Sequence, residues 1–312
     1  MNLNKAILEE KSKELGFSRD TFEKVIRLTN VLEFMNTHPT LKENLVLKGG
    51  TAINLTVFDL PRLSVDIDMD LAVNYSLEKM TEIREEITDI IQNFMQVNGY
   101  TLNANSKYRH SLDSMVFSYT NAGGNFDNLK VEINYSLRSH VFESEERHIV
   151  PFVTNQDILV KTLNVTELFA AKLNALMSRA AVRDLYDIDN MIRRKLYDET
   201  DFEMLRKCTV FYAAISATTI NKYFSTDAID FITINKVKRE LFPVIGEKEH
   251  FNLDEKKLNV KTFINSVMQL TDKEAVFLER FENKEYMPEL LFEDDEIIKR
   301  VIQHPMALWK MR

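Results

Sequence analysis

The sequence is poor in cysteine, glycine and proline, and each shortage excludes a class of protein. Its 312 residues include one Cys, seven Gly and six Pro. A single thiol, Cys208, excludes an internal disulfide framework and a zinc site built from several cysteines, which favours a reducing cytoplasm. So few glycines and prolines leave no long linker or low-complexity tract, and we find no internal repeat.

Long apolar runs and clustered basic residues are also missing. No apolar run approaches about 20 residues, and the N-terminal segment lacks the apolar core of a signal peptide, so we expect no membrane role. The histidines are scattered without metal-ligand spacing. A net charge of −8 opposes generic nucleic-acid wrapping but permits local basic patches, for which residues 236–239 and 193–195 are the candidates.

The segment SVDIDMDL, residues 64–71, carries an acid at every second position. Alternation places Asp66, Asp68 and Asp70 on one face of a strand and aliphatic side chains on the other. Neighbouring carboxylates repel one another, and Mg²⁺ prefers oxygen ligands that it shares with substrate phosphates. At about 3.3 Å per residue the outer two acids lie about 13 Å apart, so only two of the three belong to one two-ion site.

We predict that Asp66 and Asp68 are the metal ligands. Asp70 lies at the far end of the strand, where a solvated acid is expected. A register of Asp68 with Asp70 is the alternative. An exposed edge strand whose acids discourage aggregation would give the same pattern, and the residues upstream decide against it.

Those upstream residues, LVLKGGTAINLTVF, read as a short strand over 45–47, a glycine turn and a helix that opens near Thr51. Gly49 and Gly50 allow a ligand to approach the backbone closely, and a helix start offers N–H groups to phosphate. A glycine pair alone is weak support. A phosphate turn and a metal strand on consecutive elements together predict an enzyme that handles a nucleoside triphosphate.

The pattern GG(S/T), a gap and D-x-D resembles the nucleotidyltransferase superfamily related to DNA polymerase beta. The fuller string LKGGTAINL…RLSVDIDMDL is similar to its AbiEii-type toxin branch, and ELFAAKLNALMSRAAVRDLYDIDNMI resembles that branch's lysine helix and (K/R)D-L-Y-D element. The resemblance implies the toxin of a bacterial toxin–antitoxin or phage-defence pair. It further implies RNA, plausibly tRNA, as acceptor and a separately encoded antitoxin as partner. After about residue 200 no motif is recognisable.

The superfamily pattern also requires a third carboxylate on a later strand. Residues 111–137 read as two strands joined by an Asn-Ala-Gly-Gly-Asn turn. Glu132 is the acid placed to complete the site, opposite the apolar face of its strand. Asp113 and Asp127 lie at loop or strand boundaries and are weaker candidates. An ordinary exposed pairing of Glu132 with Lys130 is the alternative.

The segment ELFAAKLNALMSRAAVRDLYDIDNMI, residues 167–192, contains cationic side chains that could bind phosphate. Lys172 and Arg179 are seven residues apart, about two helical turns, and therefore project the same way. Such a pair suits a triphosphate, although a lone helical lysine usually extends to solvent. The resemblance assigns Lys172 to the phosphates, with Arg179 and Arg183 as further nucleotide contacts. It also implies that Asp184 is needed for activity, by orienting Lys172 or by binding the acceptor.

We therefore predict an α+β fold, a nucleotidyltransferase-like mixed sheet with helices followed by an all-helical half. Residues 1–160 would form the catalytic domain, and residues 161–312 a helical domain that completes the nucleotide cleft and acceptor site. The predicted function is transfer of a nucleotide from an NTP to RNA with two Mg²⁺ ions. The alternatives are an antibiotic-type, small-molecule nucleotidyltransferase and a catalytically silent nucleotide-binding scaffold.

Overall fold

The computed structural model describes residues 4–151, 157–216 and 223–312 and divides into two compact units. Unit 1 comprises residues 1–138, 144–162 and 244–248, and unit 2 comprises residues 139–143, 163–243 and 249–312. In sequence, residues 139–143 of unit 2 interrupt unit 1, and residues 244–248 of unit 1 interrupt unit 2. No helix in the described part of the chain is long and apolar enough to cross a bilayer.

Unit 1 is built on one eight-stranded sheet in which parallel and antiparallel pairs are mixed. Its strands are β1 Leu45–Lys48, β2 Asp66–Leu71, β3 Thr101–Leu102, β4 Lys107–Arg109, β5 Leu112–Thr120, β6 Phe126–Asn134, β7 Glu145–His148 and β8 Leu159–Thr162. They lie in the order β3-β5-β6-β2-β1-β8-β7, with β4 paired to β5. The helices of unit 1 are α1 Lys5–Leu15, α2 Arg19–Thr37, α3 Pro39–Asn44, α4 Gly49–Ala52 and α5 Leu77–Val97.

Strand β2 is interior to the sheet, which decides where its acids lie. It pairs antiparallel with β1 and parallel with β6. Its alternate residues Ile67, Met69 and Leu71 are at most 2% exposed, so one face belongs to the core. The acids are on the other face. The predicted alternation is confirmed, and the edge-strand alternative is excluded because both sides of β2 are hydrogen-bonded.

The predicted hairpin is present. Strands β5 and β6 pair over their whole length, and Gly124 in their turn has a φ of +86°. The Asn121 side chain accepts hydrogen bonds from the backbone N–H groups of Gly123 and Asn125 at 2.9 Å each. Ser18 caps α2 and Ser76 caps α5, as expected for helix starts.

One more strand, β8, includes residue 160, where the first predicted domain ends. The preceding residues 152–156 lie outside the described part of the chain. Strand β8 pairs parallel with β1 and antiparallel with β7. Val160 and Thr162 are buried while Leu159 is partly exposed. The sequence analysis did not identify this strand, because four residues are too few to display a period against polar flanks.

Unit 2 contains helices and no strand among its described residues, as predicted for the second half of the chain. Its helices are α6 Val165–Arg179, α7 Val182–Arg193, α8 Phe202–Ile215, α9 Asp227–Asp230, α10 Ile234–Glu240, α11 Leu253–Val267, α12 Asp272–Glu282, α13 Asp295–Val301 and α14 Pro305–Lys310. Asn164 caps α6 through a hydrogen bond from the Thr166 N–H.

A buried ion pair links α5 to the hairpin. Asp113 is fully buried, and its carboxylate accepts hydrogen bonds from the Arg84 guanidinium. Arg84 also donates to the carbonyl oxygens of His110 at 3.0 Å and Arg109 at 2.6 Å. Asp113, one of the weaker candidates for the third carboxylate, therefore has a structural role.

We expect Asp113→Ala to lower the free energy of unfolding by about 3 kcal/mol, because it leaves a largely buried guanidinium without its carboxylate. Urea denaturation measures the loss. The matched control is Asp127→Ala, which breaks the more exposed pair with Lys24 and should cost less than about 1 kcal/mol. Equal losses in the two variants would contradict this assignment.

Candidate functional site

The acidic face of unit 1 is arranged in a row across neighbouring strands. Lys48 on β1 lies opposite Asp68 on β2, and Asp68 lies opposite Glu132 on β6. In the next row Asp66 lies opposite Lys130. The Lys130 ammonium is 3.1 Å from a Glu132 carboxylate oxygen. The structure thus brings all three predicted metal ligands to one face, and Glu132 also makes the alternative pairing with Lys130.

The surroundings of Asp68 in this row shift its pKa. Burial raises its pKa above the ordinary value, and the charges of Asp66 and Glu132 add to that rise, while Lys48 and Lys130 oppose it. The two lysines therefore do not fully offset the cost of placing a carboxylate here. A further cation or a bound proton would lower the free energy of the row.

Asp70 differs from the prediction. We expected a solvated acid at the end of the strand, but Asp70 is 1% exposed and its carboxylate is ion-paired with the Lys48 ammonium. The expectation fails because β2 is an interior strand. Asp70 is paired with Val46 of β1 on one side and with Asn134 of β6 on the other, so it is not exposed to solvent. Lys48, which the sequence analysis left unassigned, lies between two acids of β2.

The glycine turn is packed directly against this row. Helix α4 begins at Gly49, earlier than the predicted start near Thr51, and continues as a π-helical turn over Ile53–Val57. Gly49 has a φ of +72°, and a Cβ at this position would lie 2.6 Å from Asp68 Oδ2. Glycine is therefore required twice, by the left-handed backbone and by the close approach of the carboxylate.

Thr51 is fully buried and its hydroxyl is used within the protein. The hydroxyl donates to the Asp66 carbonyl oxygen at 2.5 Å, and the Ser64 hydroxyl lies 2.9 Å away. These bonds hold the start of α4 against β2. The assignment of Thr51 to nucleotide binding stays a prediction, and its side chain fastens the turn to the acidic strand.

A second cluster of charge occupies unit 2, where α6 and α7 meet. The Lys172 ammonium is 2.6 Å from Asp184 Oδ1 and 3.0 Å from Asp187 Oδ2. Arg179 Nη2 lies 2.9 Å from Asp184 Oδ2. Lys172 and Arg179 thus converge on one carboxylate, as their spacing on α6 predicts. Arg183 points elsewhere and donates to the Glu240 carbonyl oxygen at 2.9 Å.

The environment keeps Asp184 ionised. Burial alone would raise its pKa, but attraction to Lys172 and Arg179 outweighs burial and holds that pKa below the ordinary value. The sequence analysis did not assign Asp187, which is fully buried and is a second partner of Lys172. Its position three residues after Asp184 on one helix is the signal that could have identified it.

The residues of unit 1 suit a hard divalent cation by their chemistry. Asp66 and Asp68 offer oxygen ligands from one strand face, and burial together with the charges of Asp66 and Glu132 raises the pKa of Asp68. Within residues 4–151, 157–216 and 223–312, no group of three or more His, Cys, Asp or Glu side chains is arranged so that it could hold a metal ion. Because Glu132 is ion-paired with Lys130, we take the two aspartates as the primary donors.

Comparison with known proteins gives this geometry a family. The model of the family described as nucleotidyl transferase AbiEii toxin, type IV toxin–antitoxin system, matches residues 33–284. The chain belongs to this family. Among solved structures it is similar to MenT4, a nucleotidyltransferase toxin from Mycobacterium tuberculosis H37Rv, with a TM-score of 0.65 and 14% identity over 98% of this chain and 99% of that one. No curated protein matches.

The AbiEii match confirms the family resemblance, the enzyme class and the toxin assignment made from the sequence. The chain is a nucleotidyltransferase toxin of a type IV toxin–antitoxin system, so it has an NTP substrate and an antitoxin partner. At 14% identity, the likeness to MenT4 shows the fold alone, which agrees with the predicted mixed sheet and helices.

We expect Asp68→Asn to abolish activity yet raise the melting temperature at pH 7. The pKa of Asp68 is higher in the folded protein than in the unfolded chain, so the wild type loses stability as pH rises from about 4 through that raised value. Asparagine does not titrate, and the advantage of the variant should shrink towards pH 4. Thermal denaturation across this range tests the expectation, and a variant less stable than the wild type at pH 7 would refute it.

We expect Gly49→Ala to reduce activity at least about a hundredfold, because the new Cβ displaces the Asp68 carboxylate and small misplacements of reacting groups cost about that much. The control is Gly99→Ala. Gly99 has a φ of +83° but no atom within 4 Å of the added Cβ, so it reports backbone strain without the carboxylate contact. Steady-state rates and melting temperatures of both variants decide the matter: similar activity losses would show that strain alone is responsible.

Proposed function

We propose that the chain transfers a nucleotide from a magnesium-bound NTP to RNA, with tRNA as the acceptor, and thereby acts as the toxin of a toxin–antitoxin or phage-defence pair in the cytoplasm. One observation carries the proposal. The glycine turn that suits a phosphate is in contact with Asp68, so a phosphate-binding backbone and metal-type carboxylates adjoin one another in unit 1. Such a juxtaposition serves phosphoryl chemistry, in which positioning and charge neutralisation supply most of the catalysis.

The roles in unit 1 follow from this contact. Asp66 and Asp68 would hold Mg²⁺, with Glu132 as the third carboxylate. Bound Mg²⁺ would neutralise phosphate charge and favour ionisation of the acceptor hydroxyl. The backbone at Gly49 and Gly50 approaches the triphosphate without side chains in the way.

The reaction balances as a displacement at the α-phosphorus. The acceptor hydroxyl oxygen forms a bond to that phosphorus, the bond to the oxygen bridging the α- and β-phosphates breaks, and pyrophosphate leaves. Glu132 accepts the acceptor's proton. Its ion pair with Lys130 holds the Glu132 carboxylate in one orientation on the strand next to Asp68, so the base is in place for the proton.

Residues of the helical unit supply charge to the triphosphate. We propose that Lys172 contacts the phosphates and that Asp184 and Asp187 hold its ammonium in one orientation between them. Arg179, whose side chain is 66% exposed, adds a planar fork for phosphate, and Arg183 is a further nucleotide contact. In this scheme residues 1–160 carry the catalytic acids and residues 161–312 contribute phosphate and acceptor contacts.

Local basic character supports RNA as the acceptor class. Helix α10 carries Lys238 and Arg239 on its exposed side. It is fastened beside α7 by the bond from Arg183 to the Glu240 carbonyl, and the Lys236 ammonium donates to the Ala180 carbonyl at 2.8 Å. The Arg183 and Lys236 side chains therefore both lie near the start of α7, in a chain whose net charge is −8.

Incubation with each α-labelled NTP, Mg²⁺ and total RNA tests the proposal. We expect label on RNA, with loss of labelling and of growth inhibition in the double variant Asp66→Ala, Asp68→Ala. Asp127→Ala is the control, because it removes an acid of the same unit that is paired with Lys24 instead. Pyrophosphate release without labelled RNA would favour the small-molecule enzyme, and no release with any NTP would refute catalysis and favour the scaffold.

A further inference from the structure

A buried arginine lies directly behind the glycine turn. Arg62 is 2% exposed and is among the largest fully buried side chains of the described residues. It comes from the loop between the π-helical turn and β2. An arginine side chain is rarely buried to this extent. The family-like string RLSVDIDMDL begins at this residue, but the sequence analysis gave it no role.

The Arg62 loop is held by a distant part of the sequence. The Leu63 N–H donates to the Val244 carbonyl at 2.7 Å, and Arg62 forms an isolated antiparallel bridge with Ile245. The Glu247 N–H donates to the Gly16 carbonyl at 2.8 Å. Residues 244–248, which return to unit 1 after α10, thus bond to both the Arg62 loop and the end of α1.

The guanidinium touches the turn itself. A Cβ built on Gly50 would lie 2.5 Å from Arg62 Nη2 and 3.1 Å from Ser64 Oγ. Arg62 Nη1 donates to the Leu63 carbonyl at 3.1 Å, which fixes the plane of the guanidinium. Gly50 therefore packs against the planar guanidinium of Arg62, whereas Gly49 packs against the Asp68 carboxylate.

We propose that Arg62 is a positioning residue for the triphosphate. Its guanidinium fixes the position of the Gly49-Gly50 backbone relative to β2, and residues 244–248 keep the Arg62 loop in place. The part of this inference that concerns the KM for NTP rests on the proposed function. A rigid, planar side chain suits this role better than lysine, whose flexible stem ends in a point charge and leaves the backbone unsupported.

A buried arginine that is only structural would behave differently. Shortening it would lower the stability of the whole unit and leave the affinity for NTP unchanged. A positioning residue should instead change the KM for NTP more than kcat, and should loosen the turn locally. Hydrogen exchange of the amides in residues 45–57 reports that loosening without any need for substrate.

The first experiment compares Arg62→Lys with the wild type. Pyrophosphate release is followed with ATP, GTP, CTP and UTP in separate titrations, and hydrogen exchange is followed by mass spectrometry. We expect the KM for the NTP that is used to rise about tenfold with kcat within about threefold, together with faster exchange over residues 45–57. The control, Arg84→Lys, weakens a buried ion pair of the same unit, and should lower the melting temperature without either effect.

The second experiment uses the contact with Gly50. Gly50→Ala places a methyl group 2.5 Å from Arg62 Nη2, and lysine at position 62 lacks that atom. If the two residues act through this contact, Gly50→Ala alone should also raise the KM and the exchange rate. The double variant should be no worse than Arg62→Lys, so the two effects will not multiply. Independent effects that multiply would overturn the inference.

The outcomes separate the two proposals. A wild type that releases no pyrophosphate from any of the four NTPs refutes the proposed function, and exchange over residues 45–57 still decides the role of Arg62. An active wild type with unchanged KM and unchanged exchange in both Arg62→Lys and Gly50→Ala refutes the inference alone. If Arg62→Lys does not fold, Gly50→Ala carries the same decision because it moves the guanidinium without removing it.

Discussion

Mutual repulsion among Asp66, Asp68 and Glu132 is the constraint around which unit 1 is organised. Carboxylates on one sheet face destabilise the folded state, and the pKa of Asp68 is raised by burial and, in addition, by the charges of Asp66 and Glu132. The sheet tolerates the cost because β2 is bonded on both sides and buries Ile67 and Met69 on its other face. A slip of one residue would put those apolar side chains on the acidic face, so the core fixes the register that brings the acids together.

The same constraint favours a substrate that brings cations with it. An unaccompanied triphosphate would meet three carboxylates, whereas a magnesium-bound triphosphate brings positive charge to a face that is short of it. The lysines of the sheet do not meet that need: Lys130 is bonded to Glu132 and Lys48 to Asp70. Lys172 is likewise held by carboxylates, those of Asp184 and Asp187.

Local patterns carried most of what could be predicted from the sequence. Alternation located β2 and assigned its faces, the glycine turn located α4 within two residues, and the Gly-Gly turn of the hairpin gave β5 and β6. The failures share a cause. Burial of Asp70, strand β8 and the support of Arg62 by residues 244–248 depend on strand pairings and contacts that form only in the folded chain, which a local sequence pattern does not display.

A fold shared with MenT4 at 14% identity shows that most positions tolerate replacement, and the structure indicates which kind do not. Arg84 and Asp113 stabilise unit 1 through a buried pair, and a well-packed apolar pair can supply equivalent stability. Gly49 has no such substitute, because any Cβ would collide with the Asp68 carboxylate. An interaction that contributes only to the free energy of folding can be replaced by a different interaction of similar strength. A contact that sets the distance between the backbone and a carboxylate can be replaced only by residues that keep the same distance. The glycine turn, with Asp68 before it and Arg62 behind it, belongs to the second kind.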